Sequence, residues 1–283
     1  CSRKFLFCPN FVPNLFIFNM KNTSFGIFRI TLIIALVVST LSVFAQAANP
    51  LAGKKILVFS LTKGFRHSSI KPGQVALFKM AKEKGFSVDT TENAANFTEK
   101  NLKQYRIVVF LNTTSNVLNE VQQIAFERYI QAGGAYFGIH AATDTEYDWP
   151  WYTKLAGGQF ASHPGRPNVQ KGTFTAVDRT HISTAHMPET FDRTDEFYDT
   201  KNFNKDVKVL ITLDEKSYKD GKMGDFHPMA WYHEYDGGRA FYTNWGHTHE
   251  SFEEPIVVQH IWGALQWLAS GRPQDYTKKL RSE

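Results

Sequence analysis

Short apolar runs separated by amphipathic stretches set the rhythm of the chain from about residue 54 onward. Residues 54–60 (Lys-Lys-Ile-Leu-Val-Phe-Ser) hold a continuous apolar stretch rich in β-branched and aromatic side chains, the pattern of a strand buried on both faces. Residues 106–111 and 135–139 repeat that pattern, and 86–90 form a fourth, more polar strand. Helical stretches lie between them. One begins near Pro72, where a missing N–H costs nothing in the first turn; Val75, Leu77, Phe78 and Ala81 are its apolar positions and Gly85 ends it. Thr98 followed by Leu102 predicts a brief helical turn. A longer helix is capped by Asn119 with Gln122 three residues on, carries Ile124, Ala125, Tyr129 and Ile130, and stops at Gly133-Gly134. Strands alternating with helices predict right-handed βαβ units, hence an α/β domain with a mostly parallel sheet covered on both faces.

The pattern then loosens. Residues 149–155 read as a short helix, and 169–177 alternate like an antiparallel strand. Residues 178–205, rich in Thr, Asp and His, read as long loops laid over the sheet. A strand follows at 207–213, then a hairpin of 229–235 and 239–245 around Asp236-Gly237-Gly238. A closing helix over 255–270 turns Val258, Ile261, Trp262, Leu265 and Leu268 inward.

The N-terminus follows other rules. Lys21 and Arg29 precede the apolar run 30–38, and small residues follow up to Ala47, the layout of an export signal starting at Met20. The run is short for a membrane span, which leaves a retained N-terminal anchor as the alternative. Residues 1–19 read as a non-native upstream extension, 20–47 as the signal peptide and 48–283 as a single domain, exported to the periplasm or secreted. This division removes Cys1 and Cys8, the only cysteines, so the mature domain has no thiolate, no disulfide and no lipidation site after the cleavage region. The 32 basic and 27 acidic residues are scattered, with Lys278-Lys279 beside Arg281 the nearest thing to a cluster, so nucleic acid is not expected as a partner; no later stretch approaches the length of a membrane span, so none is expected in the mature protein.

Ten histidines change the picture more than charge does. Open α/β sheets bind ligands outside the carboxyl ends of their strands. His67 lies after the first strand, His140 directly after the fourth and His247 after the late strand of the hairpin, so three strands aim an imidazole at one edge. His163 sits in a long loop within reach. Imidazoles converging from distant segments fit a divalent metal, Zn or Mn, with His67, His140, His247 and His163 as ligands. Separate surface or hydrogen-bonded histidines are the bland alternative, and there is no HExxH motif. Asp144 and Glu250 are the carboxylates placed to act as a base or to orient a histidine, beside His67 and His140 as catalytic candidates. Trp149, Trp231 and Trp245 are candidates for stacking on a sugar, though tryptophan is equally a core residue, and Arg66 for pairing with negative charge. Neither a G-x-G-x-x-G nor a Walker motif follows the first strand, so no nucleotide cofactor is expected.

Several segments together resemble the ThuA-like, or trehalose-utilisation, family over about 53–270. They are Gly64-Phe65-Arg66-His67-Ser68-Ser69-Ile70, Gly133-Gly134-Ala135-Tyr136-Phe137-Gly138-Ile139-His140-Ala141-Ala142, Gly158-Gln159-Phe160-Ala161-Ser162-His163-Pro164, Pro228-Met229-Ala230-Trp231 and Tyr242-Thr243-Asn244-Trp245-Gly246-His247. The resemblance implies a flavodoxin-like doubly wound sheet with antiparallel additions, within the class I glutamine amidotransferase-like superfamily. There a Gly-x-Cys-x-Gly elbow holds the nucleophile; here Gly138-Ile139-His140-Ala141-Ala142 stands in its place, which excludes glutamine hydrolysis through a thioester. It also implies carbohydrate metabolism. The expectation is therefore an exported enzyme performing metal-assisted lyase or hydrolase chemistry on a saccharide or keto-glycoside. The alternative is a non-catalytic carbohydrate-binding or sensor domain. Oligomeric state is not legible.

Overall fold

Strands without a polar face need cover on both sides, and that requirement organises the molecule. The computed structural model describes residues 49–277. The expected extension 1–19, the expected signal peptide 20–47 and the basic pair Lys278-Lys279 lie outside the described residues. The strands are β1 (Lys55–Phe59), β2 (Ser87–Thr91), β3 (Ile107–Leu111), β4 (Ala135–Ile139), β5 (Gln159–Ser162), β6 (Val169–Ala176), β7 (Thr190–Glu196), β8 (Asp199–Lys201), β9 (Lys208–Leu213), β10 (Pro228–Tyr235) and β11 (Gly238–Thr243). The helices are α1 (Ile70–Lys84), α2 (Glu99–Leu102), α3 (Glu120–Gln131), α4 (Pro150–Ala156) and α5 (Pro255–Ala269).

One sheet runs β2-β1-β3-β4-β11-β10-β9-β6-β7, and β5 pairs separately with β8. The first five strands of that order are mutually parallel and the remaining pairings are antiparallel. This is the α/β, flavodoxin-like arrangement expected, with antiparallel additions. Alternate residues of each parallel strand feed two cores. Ile56, Val58, Val109 and Phe137 meet Leu77 and Met80 of α1 and Ile261, Leu265 and Leu268 of α5. Leu57, Phe59, Val108, Phe110 and Tyr136 meet Phe126 and Tyr129 of α3 and Tyr152 and Leu155 of α4. No helix among the described residues is long and apolar enough to cross a membrane.

The Asn119–Gln122 capping box forms as the sequence implies, and the hairpin turns at Asp236 and Gly237, both at positive φ. One local expectation is corrected, and two helices bury only part of their apolar positions. Helix α1 turns Gly73, Leu77, Met80 and Ala81 inward and leaves Val75 and Phe78 exposed. In α3 the helical period puts Phe126, Tyr129 and Ile130 on the buried face and Ile124 on the opposite one. Residues 178–205 are not simply loops, because they contain β7 and β8. Strand β7 alternates as far as Asp195, with Glu196 buried as well, and its inward positions include Arg193 and Asp195 rather than apolar residues alone.

Candidate functional site

The parallel strands deliver their following loops to one edge, and three imidazoles arrive there on different segments. His67 comes from the loop after β1, His140 from the first position after β4 and His247 from the loop after β11. His140 has φ +49 and opens a short 3-10 turn, so the chain folds sharply back at the strand end. The ring centroids of His67, His140 and His247 lie 4.9 to 5.2 Å apart. Glu196, the last residue of β7, completes the group: all four residues bring a ligand atom to within 4.8 Å of one another. Since β7 is four places from β11 in the sheet order, the antiparallel half must curl back over the strand ends to supply it.

Each side chain is oriented by a specific partner. His140 Nδ1 donates to the Asn244 carbonyl at 2.7 Å, so in the neutral ring the lone pair sits on Nε2. That Nε2 lies 3.3 Å from Glu196 Oε2 and 3.2 Å from His247 Nδ1. His247 Nδ1 lies 2.8 Å from the same Glu196 oxygen. The Tyr198 hydroxyl is 3.3 Å from His67 Nε2, while His67 Nδ1 is buried without a hydrogen-bond partner. Burial, reinforced by the neighbouring His140 and His247, holds His67 down at about 2 and hence neutral. Burial pushes the Glu196 carboxyl up, but its contacts with His140 and His247 together outweigh it and hold the group ionised. For His247, burial favours the neutral ring, but the Glu196 contact prevails and raises it.

A buried polar frame fixes this arrangement. Asp195 Oδ2 accepts from Arg193 Nη1 (2.9 Å), Ser251 Oγ (2.8 Å) and the Gly246 N–H (3.0 Å). Its Oδ1 accepts from the N–H groups of Glu196 (3.0 Å) and Thr248 (3.3 Å). One carboxylate thereby ties the end of β7 to both residues flanking His247. The Gly246 carbonyl in turn accepts from Ser69 Oγ (2.8 Å) and Asn112 Nδ2 (3.2 Å), which fastens the segment to the loop bearing His67. Gly246 has φ +126, and a Cβ there would stand 2.9 Å from Ile139 Cγ2, so glycine is required.

The other sequence candidates fall at graded distances from this centre. His163 is a half-exposed neighbour whose Nδ1 lies 3.6 Å from Glu196 Oε1; it stands beside the four-residue group rather than in it. Asp144 caps the turn that follows His140 and accepts from the Tyr147 hydroxyl. Burial pushes its carboxyl up, against the Tyr147 hydrogen bond. Glu250 is exposed, and Arg66 forms a bidentate pair with Glu92 (3.1 and 2.7 Å). The tryptophans expected to stack on sugar are packed instead. Trp231 is buried against Tyr242 and donates to the Ala156 carbonyl; Trp245 is buried between Phe174, Phe191 and the Arg193 guanidinium. Trp149 is nearly buried, stacks on Trp151 and donates to Glu127. His260 is a wholly buried helix residue bonded to the Ser183 carbonyl, as its position in the closing helix implies. The member of the group that sequence reasoning missed is Glu196. Its only signal is the alternation in Thr190-Phe191-Asp192-Arg193-Thr194-Asp195-Glu196.

The comparisons with known proteins bear on the family and the fold. No curated protein sequence matches the chain. Among solved structures it is similar to a protein from Bacteroides uniformis described as ThuA-like, with 27% identity and a TM-score of 0.67 over 77% of this chain and 92% of that one. It shares its fold with another protein so described from Parabacteroides merdae, at 18% identity and a TM-score of 0.61, covering 77% and 90% of the two chains. The ThuA family, described as trehalose utilisation, matches residues 55–268, and the chain belongs to that family.

Proposed function

We propose that the chain is an exported, carbohydrate-active enzyme that acts on a saccharide or keto-glycoside through a divalent cation held by His67, His140, Glu196 and His247. The carrying observation is the convergence of three imidazoles and one carboxylate within 4.8 Å at the carboxyl edge of the sheet. The donor set suits Zn2+ or Mn2+. The buried, unpartnered Nδ1 of His67 fits such an occupant, because a buried polar atom without a partner is costly. His163, next to Glu196, is the candidate fourth imidazole. Family membership supports the saccharide class.

A cation bound there would polarise a sugar carbonyl or activate a water. The remaining chemistry belongs to the chain. Asp144, with its carboxyl raised by burial, is the base that takes a proton from the carbon beside a keto group. Loss of the glycosidic oxygen from the neighbouring carbon then completes a β-elimination. Burial raises Tyr198 far above the ordinary phenol value, so its hydroxyl remains a hydrogen-bond donor beside His67. Kinship with the amidotransferases is supported by His140, whose positive φ directly after β4 reproduces an elbow at the place where those enzymes set their cysteine.

Elemental analysis of the purified protein tests the proposal first. We expect stoichiometric metal that disappears in the His67→Ala, His140→Ala double variant. Turnover of 3-keto-trehalose should fall at least about 100-fold in Asp144→Asn. A protein that carries no metal at the four residues yet binds trehalose would overturn the enzyme reading in favour of a carbohydrate-binding module.

A further inference from the structure

Tyr198 joins two polar groups. Its hydroxyl approaches His67, while its backbone carbonyl, in the short link between β7 and β8, accepts from His227 Nε2 at 3.1 Å. That second contact fixes a tautomer, because a carbonyl only accepts and Nε2 must carry the hydrogen. In the neutral ring Nδ1 then presents its lone pair to Glu215 Oε1, only 2.6 Å away. Two acceptors that close repel unless something positive lies with them. The Tyr218 hydroxyl is near both, at 2.6 Å from Glu215 Oε1 and 3.1 Å from His227 Nδ1, but it has one hydrogen to give.

Asp199 stands beside them. Asp199, Glu215 and His227 each bring a ligand atom to within 4.8 Å of the others. Asp199 Oδ2 accepts from Ser162 Oγ at 2.6 Å, whereas Oδ1 is buried with no hydrogen-bond partner. The residue is 3% exposed and His227 is fully buried. Two carboxylates here leave net negative charge even if the imidazole carries a proton. The nearby Lys222 bonds to Ser162 Oγ at 3.2 Å and makes no direct ion pair with either carboxylate. An unpartnered buried carboxylate oxygen and two carboxylates crowded together are both costly, and a divalent cation would relieve both.

We infer that Asp199, Glu215 and His227 form a second divalent-cation site, structural in role, selective for Mn2+ or Zn2+. Two carboxylates and one imidazole are a donor set for those ions. Bound there, the cation ties β8, the turn Glu215–Ser217 after β9 and the start of β10 into one unit. It thereby braces Tyr198, and through it the chain that carries Glu196. The inference rests on residues separate from the four proposed above and survives if those bind nothing.

The test is a Mn2+ and Zn2+ titration of chelator-treated full chain by calorimetry, in wild type and in His67→Ala, His140→Ala. We expect the double variant to retain one equivalent, and Asp199→Asn in that background to weaken it at least about tenfold. Crystals of the wild type grown with Mn2+ give a reading independent of how variants fold: an anomalous peak must lie among Asp199, Glu215 and His227, whatever occupies the other site. A double variant that binds neither ion, an affinity unmoved by Asp199→Asn, or an absent peak would each leave a plain His–Glu contact and overturn the inference.

Discussion

Truncating Asp195 to alanine should cost more stability than any exchange among His67, His140, Glu196 and His247, although Asp195 stands outside that group. The carboxylate is wholly buried and accepts five hydrogen bonds, from Arg193, Ser251 and the N–H groups of Glu196, Gly246 and Thr248. Removing it strands the Arg193 guanidinium, whose side chain is 2% exposed, with Glu254 at 3.1 Å as its remaining ion partner. Breaking a buried pair on one side typically costs about 3–5 kcal/mol. Glu254 softens that loss, while three backbone donors without an acceptor deepen it by about 1–3 kcal/mol for each that stays dry. We expect a loss of about 4 kcal/mol. Urea unfolding followed by circular dichroism measures it: with a slope near 3 kcal/mol/M, the midpoint falls by at least about 1.3 M. Metal affinity at His140 and His247 should fall at least about tenfold as their support loosens. Asp195→Asn keeps the shape and loses the charge, so its effect should be intermediate. A midpoint shift worth less than about 1 kcal/mol in Asp195→Ala would refute the reasoning, because the network would then be an arrangement and not a brace.

Two other outcomes follow from the same physics. Burial holds His260 at about 3 and His181 at about 4, so both are neutral when folded and take protons near the ordinary value of about 6.5 when unfolded. The unfolded chain therefore binds protons first. Stability from these two rings is complete above about pH 6.5 and falls as pH drops toward 4, by up to about 2.7 kcal/mol per unit. Burial pushes Asp195 up, but Arg193, His140 and the Gly246 N–H together hold it depressed, and Glu196 is likewise depressed by its neighbours; their contribution is lost only below about pH 4. Equal urea midpoints at pH 7.5 and pH 5 would contradict the histidine assignment. Gly246→Ala forces an L residue to φ +126 against Ile139 and should cost about 1–3 kcal/mol. It should also weaken metal binding by displacing His247; wild-type stability and affinity in that variant would show that the segment tolerates a Cβ.

The parallel half of the sheet was legible because its physics is local. Residues 107–111 and 135–139 are apolar throughout, and the structure buries every one of them. The Asn119–Gln122 box marks its helix by a reciprocal hydrogen bond between neighbours in sequence. Inward faces were harder to read. Val75, Phe78 and Ile124 are apolar yet exposed, because the choice of face depends on what the helix meets across the sheet. The tryptophans misled in the opposite direction. Trp231 and Trp245 carry the polar edge a sugar site needs, but their N–H groups and ring faces are turned into the core, which composition does not encode.

The site itself was three-quarters legible for one reason and incomplete for another. His67, His140 and His247 each follow a parallel strand, so topology alone sends them to a common edge. Glu196 follows no such rule. It arrives on β7, the last strand in the order, whose buried positions are Arg193, Asp195 and Glu196 itself and whose outward ones are Thr190, Asp192 and Thr194. A period of two in hydrophobicity identifies a half-buried strand only when the buried face is apolar. Here that face is built of charge because its task is to hold Gly246, Thr248 and Glu196 in place rather than to exclude water. The feature that makes β7 part of the site is therefore the one that makes it read as a loop. The surviving mark is an arginine and an aspartate two residues apart, facing the same way, directly before a carboxylate.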